Sequence, residues 1–153
     1  QKGSEVVKQM LIVKGPANVG KSTSVKLAYL AFLQWALRRQ GPTNVQYLYS
    51  TGREVAATIR VGSVLVGIST RGDNSQEVRK TLDFFRAKKC TVIVCATRSS
   101  GTPLRVARSF ADDRKFTITE FIKQRDTGAR VQEAANGKFA KRVKTWAIGV
   151  AGK

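Results

Sequence analysis

The chain is predicted to fold as an α/β domain, with a mostly parallel central sheet, helices on both faces and one β-hairpin. Three observations carry that prediction. Apolar strand-length runs alternate with helix-length amphipathic patterns, the signature of strand–helix–strand units. The first run, Met10-Leu11-Ile12-Val13, passes through a glycine-rich turn straight into a long helical pattern. The 153 residues fit one domain with its own core, and no internal repeat, low-complexity tract or linker divides them. Residues 1–153 are therefore read as one unit, with 1–6 expected to fray.

Each element has a local cause. The first strand is placed at 8–14. The helix that follows, 21–39, carries Val25, Leu27, Leu30, Phe32, Leu33, Trp35 and Leu37, apolar around most of its circumference. Such a helix is buried on more than one side or offers a face to a partner. Arg38 and Arg39 suit its negative dipole end, Gly41 its cap, and Pro42 cannot continue it. Val45–Tyr49 reads as a strand. Residues 54–61 and 64–69 flank Gly62-Ser63, a hairpin signal. Asn74 with Glu77 three residues later is a capping-box arrangement for a helix over 75–88. Cys90–Thr97 is an apolar, β-branched core strand. Thr102 as N-cap and Pro103 in the first turn start a helix near 103–113. Lys115–Ile122 is the last strand. A final basic amphipathic helix, 128–150, sets Val131, Ala135, Phe139, Val143, Trp146 and Val150 against Arg130, Lys138, Lys141, Arg142 and Lys144, with Gly137 as a weak point.

The turn between the first strand and helix is Gly15-Pro16-Ala17-Asn18-Val19-Gly20-Lys21-Ser22, followed by Thr23. A strand, a glycine-rich turn and a helix N-terminus make an anion site, because successive backbone N–H groups point inward and the helix dipole adds partial positive charge. Gly15 and Gly20 allow dihedrals and close approaches that a Cβ would block. Lys21 would reach the β- and γ-phosphates of a nucleotide, and the Ser22 hydroxyl would ligate Mg²⁺.

Charge is the second unusual feature. Twenty-eight Lys and Arg face ten Asp and Glu, a formal net charge of +18, and histidine is absent. The excess favours polyanionic partners, nucleic acid or acidic protein among them, or serves solubility alone. Without histidine the usual general base and the commonest zinc ligand are missing. Cys90 and Cys95 are too few for a disulfide framework and lie in an apolar run, which predicts buried free thiols and a cytoplasmic setting. No apolar run reaches the roughly 18 residues of a membrane span, and no signal-peptide pattern opens the chain.

In an open α/β sheet, ligands sit beyond the carboxyl ends of the strands. Three predicted ends carry arginine: Arg71, Arg98 and Arg125. A guanidinium offers a fixed donor fork to phosphate and stabilises charge on a transferring phosphoryl group. Asp73 is the acidic candidate for the magnesium shell, with helix capping as its ordinary alternative. The polar stretch 98–102 could close over phosphates, and Arg98, Arg105 and Arg108 recur along a possible lid at 98–109.

The 15–22 loop, a Walker A pattern, resembles that of the P-loop NTPases. Asn18-Val19-Gly20-Lys21-Ser22-Thr23 is similar to the loop of one branch of small GTPases. No Asp-x-x-Gly closes the 64–69 strand, however, and Lys123-Gln124-Arg125-Asp126 misses the guanine signature in spacing. The chain more closely resembles small bacterial and phage P-loop proteins through Gly67-Ile68-Ser69-Thr70-Arg71-Gly72-Asp73 and Val94-Cys95-Ala96-Thr97-Arg98-Ser99-Ser100-Gly101, over about residues 8–125. That resemblance implies a compact kinase-like or ATPase-like nucleotide binder.

Two functions are expected to compete. The first is a Mg²⁺-dependent ATP-binding protein that hydrolyses ATP or transfers its γ-phosphate. Residues 15–23 would hold nucleotide, Ser22 and Asp73 the metal, and Lys21, Arg71, Asp73 and Arg98 would form the catalytic set. The second is a nucleic-acid-binding module, or subunit of a nucleoprotein complex, using the 138–144 cations, with nucleotide structural or regulatory. A homo-oligomer would join the two.

Overall fold

The computed structural model describes residues 7–16, 19–125 and 128–152, so the expected frayed start lies outside it. Six strands and four helices follow in the order β1 (Gln9–Lys14), α1 (Lys21–Gln40), β2 (Val45–Ser50), β3 (Val55–Val61), β4 (Val64–Ser69), α2 (Ser75–Ala87), β5 (Val92–Thr97), α3 (Thr102–Asp113), β6 (Thr117–Ile122) and α4 (Ala129–Ala151). The strands form one sheet in the order β2-β3-β4-β5-β1-β6.

The sheet is mixed rather than mostly parallel. β4, β5, β1 and β6 pair in parallel, whereas β2-β3 and β3-β4 are antiparallel. The antiparallel part follows from short connections, which cannot return a chain for parallel pairing. The hairpin turns at Gly62, whose φ of +60° has no positive-φ partner at Ser63, the II′ pattern that matches strand twist.

Alternating side chains divide the core into two layers. Leu11 and Val13 join a cluster with Phe32 of α1 and Phe139 and Val143 of α4. Met10 and Ile12 join the opposite cluster, with Leu82 and Phe85 of α2 and Ala107 and Phe110 of α3. Helices thus cover both faces, and β1 and β5 are apolar at consecutive positions because both their sides are buried.

Local signals set the helix ends. The Asn74 side chain accepts from the Glu77 N–H at 2.8 Å, as the capping pattern predicts. Gly41, at φ +81°, donates to the Leu37 carbonyl at 2.8 Å and ends α1. At α3 the cap lies one residue earlier than expected: Gly101 occupies it, and the Thr102 hydroxyl accepts from Arg105 instead. The buried stripe of α4 keeps the expected Phe139 and Val143, with Trp146 and Val150 packed beside the core, and departs at its N-terminal end. Asn136, Phe139, Ala140, Val143, Ala147 and Ala151 face inward, while Val131 is exposed, and the helix runs unbroken through Gly137. On α1, Leu27, Leu30 and Leu37 form an exposed stripe. No helix among the described residues is long and apolar enough to cross a membrane.

Because β4, β5, β1 and β6 run in parallel, their carboxyl ends share one edge. Lys14 is level with Thr97, and Ile68 with Val94. The turn after β1, residues 70–74 after β4 and residues 98–101 after β5 all emerge there.

Candidate functional site

The turn after β1 is built around two glycines whose side-chain positions are already occupied. A Cβ on Gly15 would stand 2.4 Å from the Lys123 carbonyl oxygen, and that backbone is fixed by the Lys123 N–H donating to Lys14 O at 2.8 Å. Gly20 sits at φ +90°, and a Cβ there would meet Asn136 Oδ1 at 2.3 Å. The first two turns of α4 thus press on the loop. Gln132 Nε2 donates to the Val19 carbonyl at 2.9 Å and to Asn136 Oδ1 at 2.7 Å. Ala17 and Asn18, expected in the loop, lie outside the described residues.

Lys21 opens α1, and its side chain folds back into the turn. Nζ donates to Gly15 O at 2.6 Å and to Thr97 O at 2.8 Å, and it stands 3.6 Å from Asp73 Oδ1. The side chain is 7% exposed. Burial pushes its pKa down, Asp73 opposes that shift, and nearby Arg98 adds to it. Asp73 also lies 3.7 Å from Arg98 Nε, so one exposed carboxylate stands between two cations. Among the residues read from sequence as catalytic, the fold therefore brings Lys21, Asp73 and Arg98 together.

Gly72 makes that convergence possible. A Cβ there would lie 1.6 Å from the Ala96 carbonyl oxygen, so the 70–74 segment rests directly on the end of β5. Thr70 anchors the same segment to β3: its N–H donates to Val55 O at 2.9 Å, and its hydroxyl accepts from the Val55 N–H at 3.0 Å. Ser22 Oγ donates to the Thr70 carbonyl at 3.4 Å, beside the Asp73 segment.

Arg71 takes a different place. Its guanidinium lies 2.6 Å from Glu54, 3.9 Å from Glu77 and 4.1 Å above the Tyr49 ring. Its backbone N–H donates to the Tyr49 hydroxyl. Arg125 is exposed after β6. The arginines of the expected 98–109 lid also diverge, since Arg108 binds Glu120 through two contacts of 2.7 and 2.8 Å, while Arg105 binds Thr102. Lys14 holds the same Glu120 at 2.8 Å, and these cations lower the Glu120 pKa to about 2.

A cavity of about 560 Å³ opens beside Lys21, Ser22 and Thr23. Its far wall is the turn Thr51–Glu54, which lies outside the motifs expected to bind. Thr51 Oγ1 accepts from the Arg53 and Glu54 N–H groups, and Lys26 of α1 donates to the Thr51 and Gly52 carbonyls at 2.6 and 3.2 Å. A threonine-led polar turn between two strands was the available signal.

The donor set suits a hard cation and an anion. Ser22 and Asp73 supply oxygen, the ligand type Mg²⁺ takes when phosphates and water complete its shell. Among the described residues no group of three His, Cys, Asp or Glu forms a metal cluster. Cys90 and Cys95 are free and buried, as expected, and burial pushes both thiols up to about 12. In comparisons with protein-family profiles, curated proteins and solved structures, nothing matches this chain.

Proposed function

We propose that the chain binds a Mg²⁺–nucleoside triphosphate, ATP first among them, at the 15–23 loop, and hydrolyses it or passes on its γ-phosphate. The observation that carries this reading is the position of Lys21. A buried ammonium is costly, and its pKa is depressed, yet it is held at the centre of a glycine turn by two carbonyls and faces a polar cavity. A site of that kind gains most from a polyanion that restores opposite charge around it.

The residues divide the work by position. The loop N–H groups and the start of α1 would receive the phosphates. Ser22 and Asp73 would hold Mg²⁺, whose charge neutralises phosphate oxygens when bound. Arg98, beside Asp73, adds positive charge on the β5 side. Such chemistry rests on positioning and electrostatics and needs no histidine. Arg71, taken as catalytic from sequence, fits better as the residue that fixes Glu54 and the cavity wall.

The test is calorimetric titration with Mg²⁺–ATP, with ATP in excess EDTA, and with Mg²⁺–GTP. Saturable binding of Mg²⁺–ATP that weakens at least tenfold in EDTA is the expected result. Absence of heat and of competition at millimolar nucleotide would refute the reading.

A further inference from the structure

A second charged surface lies between α4 and the open edge of the sheet, and the nucleotide reading does not use it. β6 pairs only with β1, so its other edge is unpaired by any described strand. Along that edge, two adjoining hollows of about 510 and 320 Å³ share Lys138 and Arg142. Lys141 and Trp146 line the first, and Ile122, 52% exposed, lines the second. Lys138, Lys141 and Arg142 follow i, i+3, i+4 spacing, which sets them on one face of the helix. The Arg142 guanidinium lies over the Phe121 ring at 3.9 Å, presenting a flat cationic surface to solvent. Among the described residues that line either hollow, none is acidic. The nearest strand carboxylate, Glu120, turns to the other face, where Lys14 and Arg108 neutralise it.

We infer that this groove binds the backbone of single-stranded nucleic acid, with bases lying against the Arg142–Phe121 stack and Trp146. Charge complementarity selects a polyanion. The planar groups select one whose bases can stack, a sequence-tolerant contact available to unpaired strands. A membrane surface fits less well, because the main apolar stripe of α4 is packed on α1 and the sheet rather than turned outward. The groove also adjoins the loop after β1: Lys123, which follows Ile122, backs Gly15, and Gln132 on α4 holds Val19. This inference stands whether or not the loop binds nucleotide.

The experiment is fluorescence anisotropy with a labelled mixed-sequence 20-nucleotide single strand, over 50–300 mM salt. It compares the full chain, Lys138→Ala/Lys141→Ala/Arg142→Ala, and a control with Arg79→Ala/Lys80→Ala/Lys88→Ala on the opposite helix layer. Circular dichroism checks that each is folded. Three lost phosphate contacts are expected to reduce the salt slope by about 2 and affinity at 100 mM salt by at least about tenfold. The control is expected to stay within about threefold of the parent. Equal losses in both triple variants would overturn the inference, as would no binding at 50 mM salt. Tighter binding to phosphatidylserine vesicles than to the oligonucleotide would also overturn it.

Discussion

The ends of β4 and β5 are neighbours, each is followed by an arginine, and the fold uses the two arginines differently. After β5, Arg98 stays half-exposed, 3.7 Å from Asp73 and beside the buried Lys21. After β4, Arg71 is drawn away by Glu54 and Glu77 and laid on Tyr49. A charged group with close carboxylate and ring partners chiefly braces its own surroundings. One left near an exposed carboxylate and another cation can still exchange partners when an anion arrives. The chemistry of a strand end therefore depends on which acidic residues its neighbours bring, here Glu54 from the turn just before β3.

The largest expected effect comes from the contact that holds the two ends together. Gly72→Ala would drive a Cβ into the Ala96 carbonyl, and this overpacking is expected to cost about 3 kcal/mol. In thermal denaturation that is a fall of roughly 6–12 °C. A change under about 2 °C would show that the 70–74 segment moves freely off β5.

The arginines themselves should separate stability from binding. Arg98→Ala is expected to leave stability within about 0.5 kcal/mol, as for other exposed pairs, while weakening Mg²⁺–ATP about tenfold. Arg71→Ala should do the reverse, losing about 1 kcal/mol in denaturant titration through its ion pair and ring contact, with affinity changed less than about threefold. Identical profiles for the two variants would erase the contrast.

Glu120, which does not line the cavity, offers a smaller effect controlled by pH. Its folded-state pKa lies near 2, below the ordinary 4.5, because Arg108 and Lys14 hold the carboxylate. Its stabilisation is thus present above pH 4.5 and is lost as pH falls toward 2. Glu120→Gln is expected to cost about 1 kcal/mol or less at neutral pH, after solvent screening, with the difference from the parent vanishing near pH 2. Unfolding curves at several pH values check this, and a pH-independent gap would contradict it.

Much of the fold was legible because its signals are local. The capping pair Asn74 and Glu77, the Gly62-Ser63 turn and the stop at Gly41 depend on residues within a few positions, and each element appeared near its expected bounds. Strand order was not legible in the same way. That β5 separates β1 from β4 depends on packing between distant segments, and the antiparallel half made the sheet mixed. The expected inward face of α4 is found at Phe139, Val143, Trp146 and Val150, but at its N-terminal end Val131 and Asn136 invert the usual rule. The apolar residue is exposed, while the amide is buried against Gly20. In the candidate site, spacing and residue chemistry nominate Lys21, Ser22 and Asp73, and the fold sets Lys21 3.6 Å from Asp73 with Ser22 bonded to Thr70 of the same segment. Glu54 was missed because its role arises only when β3 is placed beside β4.

The central claim is that Lys21 marks a phosphate site rather than a structural lysine. Calorimetric titration of Lys21→Ala with Mg²⁺–ATP, on protein shown to be folded, tests it most directly. Removing the buried charge should reduce affinity at least about a hundredfold, while the buried Gly15 carbonyl, left without its Lys21 donor, should cost about 1–3 kcal/mol of stability. Affinity within about threefold of the parent, or loss of folding with no nucleotide binding in the parent itself, would contradict the account.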